Sequence, residues 1–400
     1  MLSLLPTELW QYSAVDLVSG IFAAGHPDGS GTGIDVPGLG RGVPIRSARA
    51  AIIVAIKALG LRAGTKIGVP LYCCPVVFKA IKAAECRPRF LDIDPETFCI
   101  SPEDLSAKRS DIGAVIAVHM FGNPCDMPAV LEAMNGKPVI EDCAQSLGSR
   151  LGDRVCGSFG QISFFSFRSG KYLSVGEGGA LFSINKDLLA TIYKLVSALP
   201  QPTHAEELKH VIITYLRSKL RSRPLWGLLG SRIWHLYNKK VKFADKSPIH
   251  LGQIYRSDLA LIRKRMGFLD SMIAAQRAYA LFYERHLQVS PSILCLQRPG
   301  TFYNRFMFPI TFPSAGQRDM IMAFLRSHGI STAKPYEEVI RGAAEHYGYE
   351  GDCPAAEQAL KRAIIIPNYY KVTQGDVEHI AEWINKGVAE NYGEVFNHDV

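Results

Sequence analysis

The chain has 400 residues, of which 48% are hydrophobic and 20% charged, and its formal net charge is +8. This composition is typical of a soluble globular protein, and the length predicts two domains with ample core. The segment 209–242 holds nine Lys or Arg and no Asp or Glu, so the rest of the chain is close to neutral. Because the basic character belongs to one segment, the composition argues against a body that binds nucleic acid.

The nine cysteines form no CxxC pair and have no histidine cluster nearby, so the sequence predicts neither a metal site nor a disulfide framework. Reduced thiols in a cytoplasmic protein are the better interpretation. The N-terminus lacks a basic n-region and a long apolar run, which argues against a signal peptide. No stretch reaches the roughly 18 apolar residues that a spanning helix needs.

From about residue 47 to residue 184, apolar strand-like runs alternate with helical patterns. The predicted helices are 50–59, 74–84 and 102–107, and the predicted strands are 66–69, 89–93, 114–119, 138–142, 162–167 and 179–184. Ser47 is placed to cap the first helix and Gly60 to end it. Near-continuous Val and Ile strands separated by helices indicate an α/β fold with a mainly parallel sheet covered on both faces.

The rest of the chain has a different character. A basic, aromatic insertion occupies about 196–250, and one long helix is predicted from 257 to 286. Strands at 306–312 and 363–366 and helices at 318–328 and 376–391 predict a smaller C-terminal α+β domain. We therefore expect a large α/β domain over 1–255, followed over 256–400 by the linking helix and the small domain.

Lys171 stands in a turn that follows an apolar strand containing Phe164, Phe165 and Phe167. A lysine in a turn is usually only a solvated charge. This one emerges directly from the core, where desolvation favours the neutral, nucleophilic amine. The glycines of the motif Gly-Glu-Gly-Gly at 176–179 permit a sharp reversal and close approach to a ligand. Such an amine can form a Schiff base with an aldehyde cofactor.

Asp142 ends an apolar strand, 29 positions before Lys171. Ligands of open α/β sheets bind at the carboxyl ends of the strands, where a carboxylate can keep a pyridinium nitrogen protonated. The competing interpretation makes Asp142 the cap of a helix that begins at Cys143. Together, the lysine and the carboxylate predict a pyridoxal-phosphate enzyme, with an aminotransferase as the preferred type.

The cofactor phosphate would need backbone N–H groups at a helix N-terminus together with hydroxyl donors. Ser47, Ala48 and Arg49 supply these at the first predicted helix, and Ser166 adds a hydroxyl beside the lysine turn. Ser47 has an equally good reading as a simple N-cap. Neither a Walker loop nor a dinucleotide fingerprint occurs at this position.

In this combination the residues resemble the DegT/DnrJ/EryC1/StrS sugar aminotransferases, a branch of the fold-type I pyridoxal-phosphate enzymes. The resemblance covers about 42–384. It depends most on Ile-Glu-Asp-Cys-Ala-Gln-Ser-Leu-Gly at 140–148 and on Ser-Phe-Arg-Ser-Gly-Lys at 166–171 with the glycine motif at 176–179. It implies a mainly parallel sheet of the seven-stranded type, pyridoxal 5'-phosphate as cofactor and at least a homodimer.

The resemblance also implies roles for individual residues. Lys171 would be the Schiff-base lysine and the base that moves the proton, and Asp142 would pair with the ring nitrogen. The remaining cofactor contacts would come from Gln145, Ser166, Ser47, Ala48, Arg49 and Cys74, and the tentative substrate contacts from Arg168, His119 and Tyr72. The implied reaction is amino transfer, from glutamate, to a nucleotide-linked keto-sugar for polysaccharide, lipopolysaccharide or glycoside biosynthesis.

Three positions near the cofactor depart from the family pattern, and a fourth, Arg168, replaces the residue, often His, that begins the segment just before the lysine. Cys74 stands where an aromatic residue stacks on the cofactor ring, and Arg49 stands where a Thr is usual. Ile254 replaces the Asn that reaches the phosphate of a neighbouring subunit. These departures keep open a regulatory or catalytically altered relative, and a pyridoxal-phosphate lyase or dehydratase is the other alternative. The dehydratases carry His in place of the lysine, so Lys171 favours transamination.

The basic segment 209–242 mixes cationic side chains with apolar and aromatic ones, a composition typical of an interfacial amphipathic helix pair. One hypothesis is peripheral docking on the inner face of an anionic membrane. The preferred alternative is that the segment covers the dimer interface or the mouth of the active site, where its arginines face substrate phosphates.

Overall fold

The structure, a computed structural model, describes residues 4–8, 10, 12–25, 33–222, 225–226, 249–289, 294–295 and 297–392. Its helices in these ranges are α1 (Ala14–Gly25), α2 (Ala48–Ala58), α3 (Val76–Ala83), α4 (Pro102–Lys108), α5 (Met127–Met134), α6 (Lys186–Ser197), α7 (His204–Leu220), α8 (Arg256–Met266), α9 (Leu269–His286), α10 (Ala315–Ser327), α11 (Val339–Tyr347), α12 (Pro354–Arg362) and α13 (Gln374–Tyr392). Its strands are β1 (Ile34–Val36), β2 (Gly40–Ile45), β3 (Lys66–Pro70), β4 (Arg87–Leu91), β5 (Ala114–Val118), β6 (Val139–Asp142), β7 (Arg150–Leu151), β8 (Arg154–Val155), β9 (Ile162–Ser166), β10 (Gly179–Phe182), β11 (Thr301–Phe302), β12 (Phe308–Thr311) and β13 (Ala363–Ile366).

The main sheet has eight strands in the order β1-β2-β10-β9-β6-β5-β3-β4. The run from β9 to β4 is parallel, whereas β10, β2 and β1 pair antiparallel at the other edge. Seven of these strands form the predicted type of sheet, and the short β1 extends it through a hairpin with β2. The α/β fold with a mainly parallel sheet is therefore confirmed.

Helix α2 shows how the sequence produces this layer. Seven consecutive residues of α2, from Ala50 to Ile56, are buried, so the helix is apolar all round and lies inside the fold. Its N-terminus is capped by Ser47, whose hydroxyl accepts from the Ala50 N–H, and Gly60 adopts a left-handed conformation beyond its end. Capping and termination both agree with the sequence prediction.

The prediction of one helix over 257–286 is wrong. The structure has two helices there, α8 and α9, separated at Gly267 and Phe268. The apolar period continues across the break, which is why the pattern suggested a single element. Glycine is a poor helix former, and the Gly267 N–H bonds back to the Arg265 carbonyl as α8 ends.

The C-terminal strands β12 and β13 form a separate antiparallel pair. Around them lies a second apolar cluster, built by α9, α10 and α13 and joined by Leu5 from the start of the chain. All four elements predicted for this region are present, although β12 is shorter than predicted. A domain boundary at residue 255 stays a prediction.

Helix α7 runs into the basic segment and starts just before it with a complete capping box. The Thr203 hydroxyl accepts from the Glu206 N–H at 3.3 Å, and the Glu206 carboxylate accepts from the Thr203 N–H at 2.8 Å. The second half of the predicted helix pair, with Trp234 and Tyr237, lies outside the described residues. None of the described helices combines the length and the apolar character that crossing a bilayer requires. All nine cysteines are free.

Candidate active site

A cavity of about 610 Å³ opens at the carboxyl ends of the parallel strands. Strands β6 and β9 end there, and the N-terminus of α2 and the loop between β9 and β10 close its sides. Nine of the eleven predicted site residues line it, namely Ser47, Ala48, Arg49, Cys74, Asp142, Gln145, Ser166, Arg168 and Lys171. Residues up to 124 positions apart in sequence therefore meet at one edge of the sheet, as expected for an open α/β fold.

The lysine loop connects β9 to β10 and is held by its own backbone. The Phe167 N–H donates to the Gly178 carbonyl, and the Lys171 N–H donates to the Arg168 carbonyl, both at 2.9 Å. The close approach of this loop to α2 requires glycine: a Cβ at Gly179 would lie 2.8 Å from the backbone nitrogen of Ala48. The helix N-terminus and the lysine are thereby placed on the same cavity.

The amine of Lys171 sits in an apolar part of the cavity. Its Nζ lies 5.1 Å from the centroid of the Phe306 ring. Burial lowers the pKa of Lys171 to about 8, the positive charge of Arg168 acts in the same direction, and Asp142 opposes the shift. About a tenth of the amine is therefore neutral at pH 7, far more than for a solvated lysine, and the neutral amine is the form that attacks a carbonyl.

Asp142 is buried at the end of β6, with only 6% of its surface exposed. Its Oδ1 accepts a hydrogen bond from the Ala144 N–H at 2.9 Å. Burial raises the pKa of the Asp142 carboxyl to about 6, although that hydrogen bond and the charge of Lys171 both act to lower it. No helix begins at Cys143, so the alternative role of Asp142 as a helix cap is wrong.

The anion-binding end of the cavity is formed by the first turn of α2. Ser47 is the N-cap, and its hydroxyl accepts from the Ala50 N–H at 3.2 Å while its backbone pairs with Gly178. Ser47 therefore caps α2 and also borders the cavity. The first turn of α2 and Ser166 border the same space, and a helix N-terminus beside a hydroxyl is an arrangement that suits a phosphate.

Gln145 is held in place from two directions. Its Oε1 accepts from the Phe121 N–H at 3.2 Å, and its backbone carbonyl accepts from the Asn304 side chain at 2.9 Å. Asn304 also donates to the Leu147 carbonyl at 2.9 Å, so it fixes the segment that follows Asp142. Asn304 was not predicted because nothing in its local sequence connects it to a segment more than 150 positions earlier.

Two aromatic residues of the cavity were also missed. Phe306 and Tyr336 line it from the C-terminal part of the chain, whereas Cys74, which also lines it, offers no ring. Neither belongs to a motif that a single sequence reveals. Only the packing of the C-terminal region against the main sheet brings them to the site.

His119 and Tyr72 do not line the cavity, so their positions lend no support to the predicted substrate contacts. Both are fully buried beneath it. The Tyr72 ring packs at 5.2 Å from Phe98 and 5.7 Å from Tyr336, measured between centroids. The His119 ring accepts from the Cys125 N–H at Nδ1 and bonds to Glu141 through Nε2, at 3.0 Å each, which identifies the neutral Nε2–H tautomer.

The ligand atoms of His119, Glu141 and Cys143 lie within 4.8 Å of one another, close enough to hold a metal ion. The Glu141 oxygens, however, already accept from His119 and from three backbone N–H groups at 2.7 Å, those of Gly157, Phe159 and Gly160. We therefore assign this cluster a structural role, in which Glu141 ties the loop before β9 to the end of β6.

A second cavity, of about 730 Å³, shares Arg49, Arg168 and Glu177 with the first. Its lining is strongly basic, with Arg46, Arg49, Arg168, Lys209, Arg217 and Arg221 against Glu177 and Glu206. Aromatic rings support two of the cations. Arg46 lies 4.0 Å from the Tyr255 ring centroid, and Arg221 lies between Trp10 and Trp226. We refer to it below as the basic cavity.

Ile254, at the position of the family's subunit-bridging Asn, is turned inward. It is 8% exposed and belongs to the apolar cluster around the lysine loop, where its Cδ1 would lie 3.4 Å from a Cβ at Gly178. Its side chain thus packs within its own chain. The neighbouring Gly252 carbonyl accepts from the Arg46 N–H at 3.1 Å.

This fold and this pairing of a desolvated lysine with a buried carboxylate define a class of enzyme, and the sequence comparison agrees. The model of the DegT/DnrJ/EryC1/StrS aminotransferase family matches residues 38–215 and 240–385. The chain belongs to this family, and it is accordingly an enzyme of the pyridoxal-phosphate-dependent sugar aminotransferase type.

Three relatives illustrate the relationship. GDP-perosamine synthase of Vibrio cholerae is 25% identical over 84% of this chain and 83% of its own length. UDP-N-acetyl-3-dehydro-alpha-D-glucosamine 3-aminotransferase of Acidithiobacillus ferrooxidans is 25% identical over 87% and 85%. The crystal structure of the aminotransferase TlmJ from Streptoalloteichus hindustanus superposes with a TM-score of 0.72 at 20% identity, covering 96% of this chain and 99% of TlmJ. At that identity the structural likeness establishes the fold alone.

Proposed function

We propose that this protein transfers an amino group, from glutamate, to the keto group of a nucleotide-linked sugar, with pyridoxal 5'-phosphate in the 610 Å³ cavity. One observation carries the proposal. Burial moves the pKa of Lys171 down to about 8 and that of Asp142 up to about 6 in the same cavity. This cofactor requires a nucleophilic amine to bind its aldehyde and a buried carboxylate to stabilise its pyridinium cation.

The residues present fit the cofactor at each of its ends. The first turn of α2 and Ser166 would hold the phosphate, Asp142 the ring nitrogen, and Lys171 the aldehyde carbon. Gln145 would lie beside the ring. Tyr336 and Phe306 supply aromatic surface that Cys74 does not. The bound cofactor would supply an electron sink that stabilises negative charge on the carbon next to the amino group.

In this proposal Lys171 has two tasks. Its neutral amine would hold the cofactor through the aldehyde carbon, and its Nζ, once free, would be the group that accepts and returns a proton at the substrate. Asp142 would hold the ring nitrogen of the bound cofactor in its protonated form, because an ionised carboxylate in a desolvated site favours the cation it faces. The apolar side chain of Phe306 limits access of water to Nζ.

The basic cavity supports a substrate that carries phosphates. It joins the cofactor cavity at Arg49 and Arg168, and its remaining cations extend away from Lys171. A sugar at the cofactor with its diphosphate among these cations would occupy both spaces, since guanidinium groups bind phosphates through paired hydrogen bonds. Arg168 then lies at the junction, where it would contact the phosphate nearest the sugar.

We further propose that the enzyme is a cytoplasmic homodimer, the usual form of its family. The nine free thiols favour a reducing compartment. Because Ile254 is buried in its own chain, a partner's phosphate contact would have to come from another residue of that segment. Sedimentation velocity at micromolar protein would test the dimer.

The absorption spectrum of the purified protein tests the function. We expect the band of lysine-bound cofactor, its loss on addition of glutamate, and no such band in Lys171→Ala. The matched control is Lys334→Ala: Lys334 lines the same cavity but is already paired with Asp319 at 2.9 Å and Glu337 at 2.8 Å. This control should keep the band.

Two results would contradict the proposal. A band that glutamate leaves unchanged would refute glutamate as the donor and favour the lyase alternative. The absence of any band after incubation with the cofactor would favour a regulatory relative with a degenerate site. If glutamate does remove the band, adding candidate nucleotide keto-sugars one at a time shows which of them restores it.

A further inference from the structure

An aromatic cluster lies beneath the cofactor cavity and reaches it with one ring. Tyr72 is fully buried, and its ring centroid lies 5.2 Å from that of Phe98, 6.0 Å from that of Phe121 and 5.7 Å from that of Tyr336. Phe98 and Phe121 are buried as well, with their centroids 5.2 Å apart. Of these four residues, which we call the aromatic cluster, only Tyr336 lines the cavity.

Three members of the aromatic cluster have a left-handed backbone. The φ angle is +59° at Phe98, +58° at Phe121 and +58° at Tyr336, and only six non-glycine residues in the described part of the chain have a positive φ. This conformation is unfavourable for a bulky side chain and persists only where the surrounding packing imposes it. Because such strain collects at functional sites, its concentration in one cluster under the cavity indicates that the fold holds the Tyr336 ring in a required position.

The backbone is fixed on both sides of Tyr336. Ala333 exchanges hydrogen bonds with Ile365 of β13, at 3.1 and 2.8 Å, and the Val339 N–H donates to the Tyr336 carbonyl at 2.9 Å as α11 begins. The connection that carries the ring is therefore anchored at each end. It belongs to the C-terminal part of the chain, whereas the strand that ends at Asp142 belongs to the main sheet.

The surroundings of Tyr336 place its hydroxyl near Asp142. Burial raises the pKa of the Tyr336 phenol, and the thiol of Cys74 and the carboxyl of Asp142 act in the same direction. Phe306, by contrast, lies near the amine, with its ring centroid 5.1 Å from the Lys171 Nζ. Since Asp142 would meet the nitrogen of the cofactor ring and Lys171 the aldehyde carbon, Tyr336 is the aromatic residue on the pyridine side.

A flat cationic ring binds well against an aromatic face. A pyridinium gains from contact with a phenol ring through dispersion and through the negative face of the aromatic quadrupole. Cys74 borders the same space but has no π-face to offer. Tyr336 can therefore supply the aromatic contact that the side chain at position 74 cannot.

We propose that the Tyr336 ring packs against the pyridine ring of the bound cofactor, and that Tyr72, Phe98 and Phe121 position it for this contact. The inference rests on the proposed function, since it requires pyridoxal 5'-phosphate in the cavity. It makes Tyr336 a cofactor-binding residue and the other three positioning residues. The cofactor would then connect the C-terminal part of the chain to the main sheet.

Binding of 4'-deoxypyridoxine 5'-phosphate to the cofactor-free enzyme tests the contact. This analogue has the ring and the phosphate but no aldehyde, so it cannot bond covalently to Lys171. We expect Tyr336→Leu to weaken its binding about tenfold, as is typical for the loss of an aromatic face under a cationic ring. Tyr336→Phe keeps that face and should bind within about twofold of the parent. Isothermal titration calorimetry would measure these affinities.

Tyr347→Leu is the matched control. It removes a tyrosine ring of α11 that packs edge-on against the buried Phe78, with the centroids 5.8 Å apart, and that does not line the cavity. This variant should lose stability in thermal melts and keep its affinity for the analogue. With pyridoxal 5'-phosphate bound, the visible circular dichroism of the cofactor should change in Tyr336→Leu and not in Tyr347→Leu, because it reports how the ring is held.

The positioning role is tested at Tyr72. Its hydroxyl is buried and has no hydrogen-bond partner among the described residues, so Tyr72→Phe should bind the analogue like the parent. Tyr72→Leu removes the ring on which Tyr336 packs and should weaken binding about threefold, although Tyr72 does not line the cavity. Unchanged binding in Tyr72→Leu would overturn the positioning role.

Tyr336→Leu binding the analogue as tightly as the parent would overturn the proposed contact. So would a loss that occurs in Phe306→Leu instead, which would assign the ring contact to Phe306. An equal loss in Tyr336→Phe and Tyr336→Leu would also contradict it, because the hydroxyl and not the ring would then make the contact. A parent that binds neither the analogue nor pyridoxal 5'-phosphate would refute the proposed function itself, so the two failures are distinguishable.

Discussion

Glu141 and Asp142 are adjacent carboxylates at the end of β6, and their surroundings are opposite. Successive side chains of a strand point to opposite faces of the sheet. Glu141 meets three backbone N–H donors and His119, so its charge is fully satisfied. Asp142 has the Ala144 N–H and otherwise faces the cavity of Lys171. Glu141, whose hydrogen bonds are all made within the protein, stabilises the fold, whereas Asp142, which has one protein donor, is available for a ligand.

The difference teaches that burial alone does not mark a functional acid. Both side chains are buried, and both stand in the same motif. What separates them is the number of donors that the protein itself provides, since hydrogen bonds to a carboxylate stabilise its charge and leave it inert. Substitutions on the two sides of β6 should therefore have separable effects, on stability on one side and on chemistry on the other.

The largest effect is expected from Lys171→Met, on the cavity side. Removal of the nucleophile should lower the rate of amino transfer at least about a thousandfold. The cofactor-free variant should be more stable than the parent at pH 7. A buried lysine whose pKa is depressed to about 8 penalises the folded state below that pH, and the penalty fades as the pH rises toward 10.5. Single-turnover kinetics and urea unfolding at pH 7 and pH 10 would measure both effects.

On the other side, Glu141→Gln should lower the free energy of unfolding by about 3–5 kcal/mol, because the amide would turn a donor toward the Gly157 N–H and His119. Guanidinium unfolding would measure this. The control is Glu382→Gln, which removes an exposed carboxylate paired with Lys386 at 2.6 Å and should change stability by less than about 1 kcal/mol. A Glu141→Gln protein that is stable but inactive would contradict the assignment of stability to Glu141 and of chemistry to Asp142.

Asp142→Asn should reduce turnover about a hundredfold or more while the cofactor stays bound, since only the charge opposite the ring nitrogen is lost. It should also stabilise the cofactor-free protein at pH 7. The pKa of Asp142 rises from 3.8 to about 6 on folding, so its ionisation destabilises the fold by up to about 3 kcal/mol above pH 6.

The pH dependence of this stabilisation shows whether folding favours the protonated or the ionised form of Asp142. Below pH 3.8 the carboxyl is protonated in both states, so the variant and the parent should unfold alike there. The gain from Asn should appear between pH 3.8 and pH 6 and persist above. A gain that grew toward low pH would mean that Asp142 is stabilised as an anion, like Glu141, and the contrast between the neighbours would disappear.

The smallest effect is expected from Ser47→Ala. Loss of the N-cap should cost about 1 kcal/mol of unfolding free energy, and cofactor affinity should fall because the first turn of α2 also borders the cavity. Ser314→Ala is the matched control, because Ser314 caps α10 through the same bond to the third residue at 3.2 Å. It should lose similar stability in thermal melts and keep the cofactor. Equal cofactor affinity in both variants would leave Ser47 with the cap role alone.

The sequence predicted the features that depend on local pattern. The apolar run of α2 with Ser47 before it and Gly60 after it specified that helix, and the strands that end at Asp142 and precede Lys171 were recognisable from their Val, Ile and Phe content. The same local signals led to the error at Gly267, where the helical period continues although the helix does not.

Predictions that needed a face or a distant neighbour were less successful. His119 and Tyr72 stand in motifs beside the site, yet their side chains point into the core. Asn304, Phe306 and Tyr336 reach the site from positions that carry no local signal. A motif indicates which residues lie near the site in the sequence. The packing of the fold determines which of them a ligand can contact.

The sequence by itself determined that a lysine and a carboxylate with the spacing of a pyridoxal-phosphate enzyme lie at the ends of sheet strands, because strand pattern and motif are properties of neighbouring residues. The sequence also selected Asp142, and only the tertiary structure shows why Asp142, and not the adjacent Glu141, faces the cavity of the lysine. It alone also decided that α1 and α7 turn their apolar sides outward. Both outcomes depend on donors and partners supplied from distant parts of the chain, such as the backbone of 157–160 for Glu141 and Arg265 for Asp16. Buried polar groups pair with partners far away in the sequence, and no local period encodes those partners. For this reason the sequence alone did not show which polar residues are structural and which are available to a ligand.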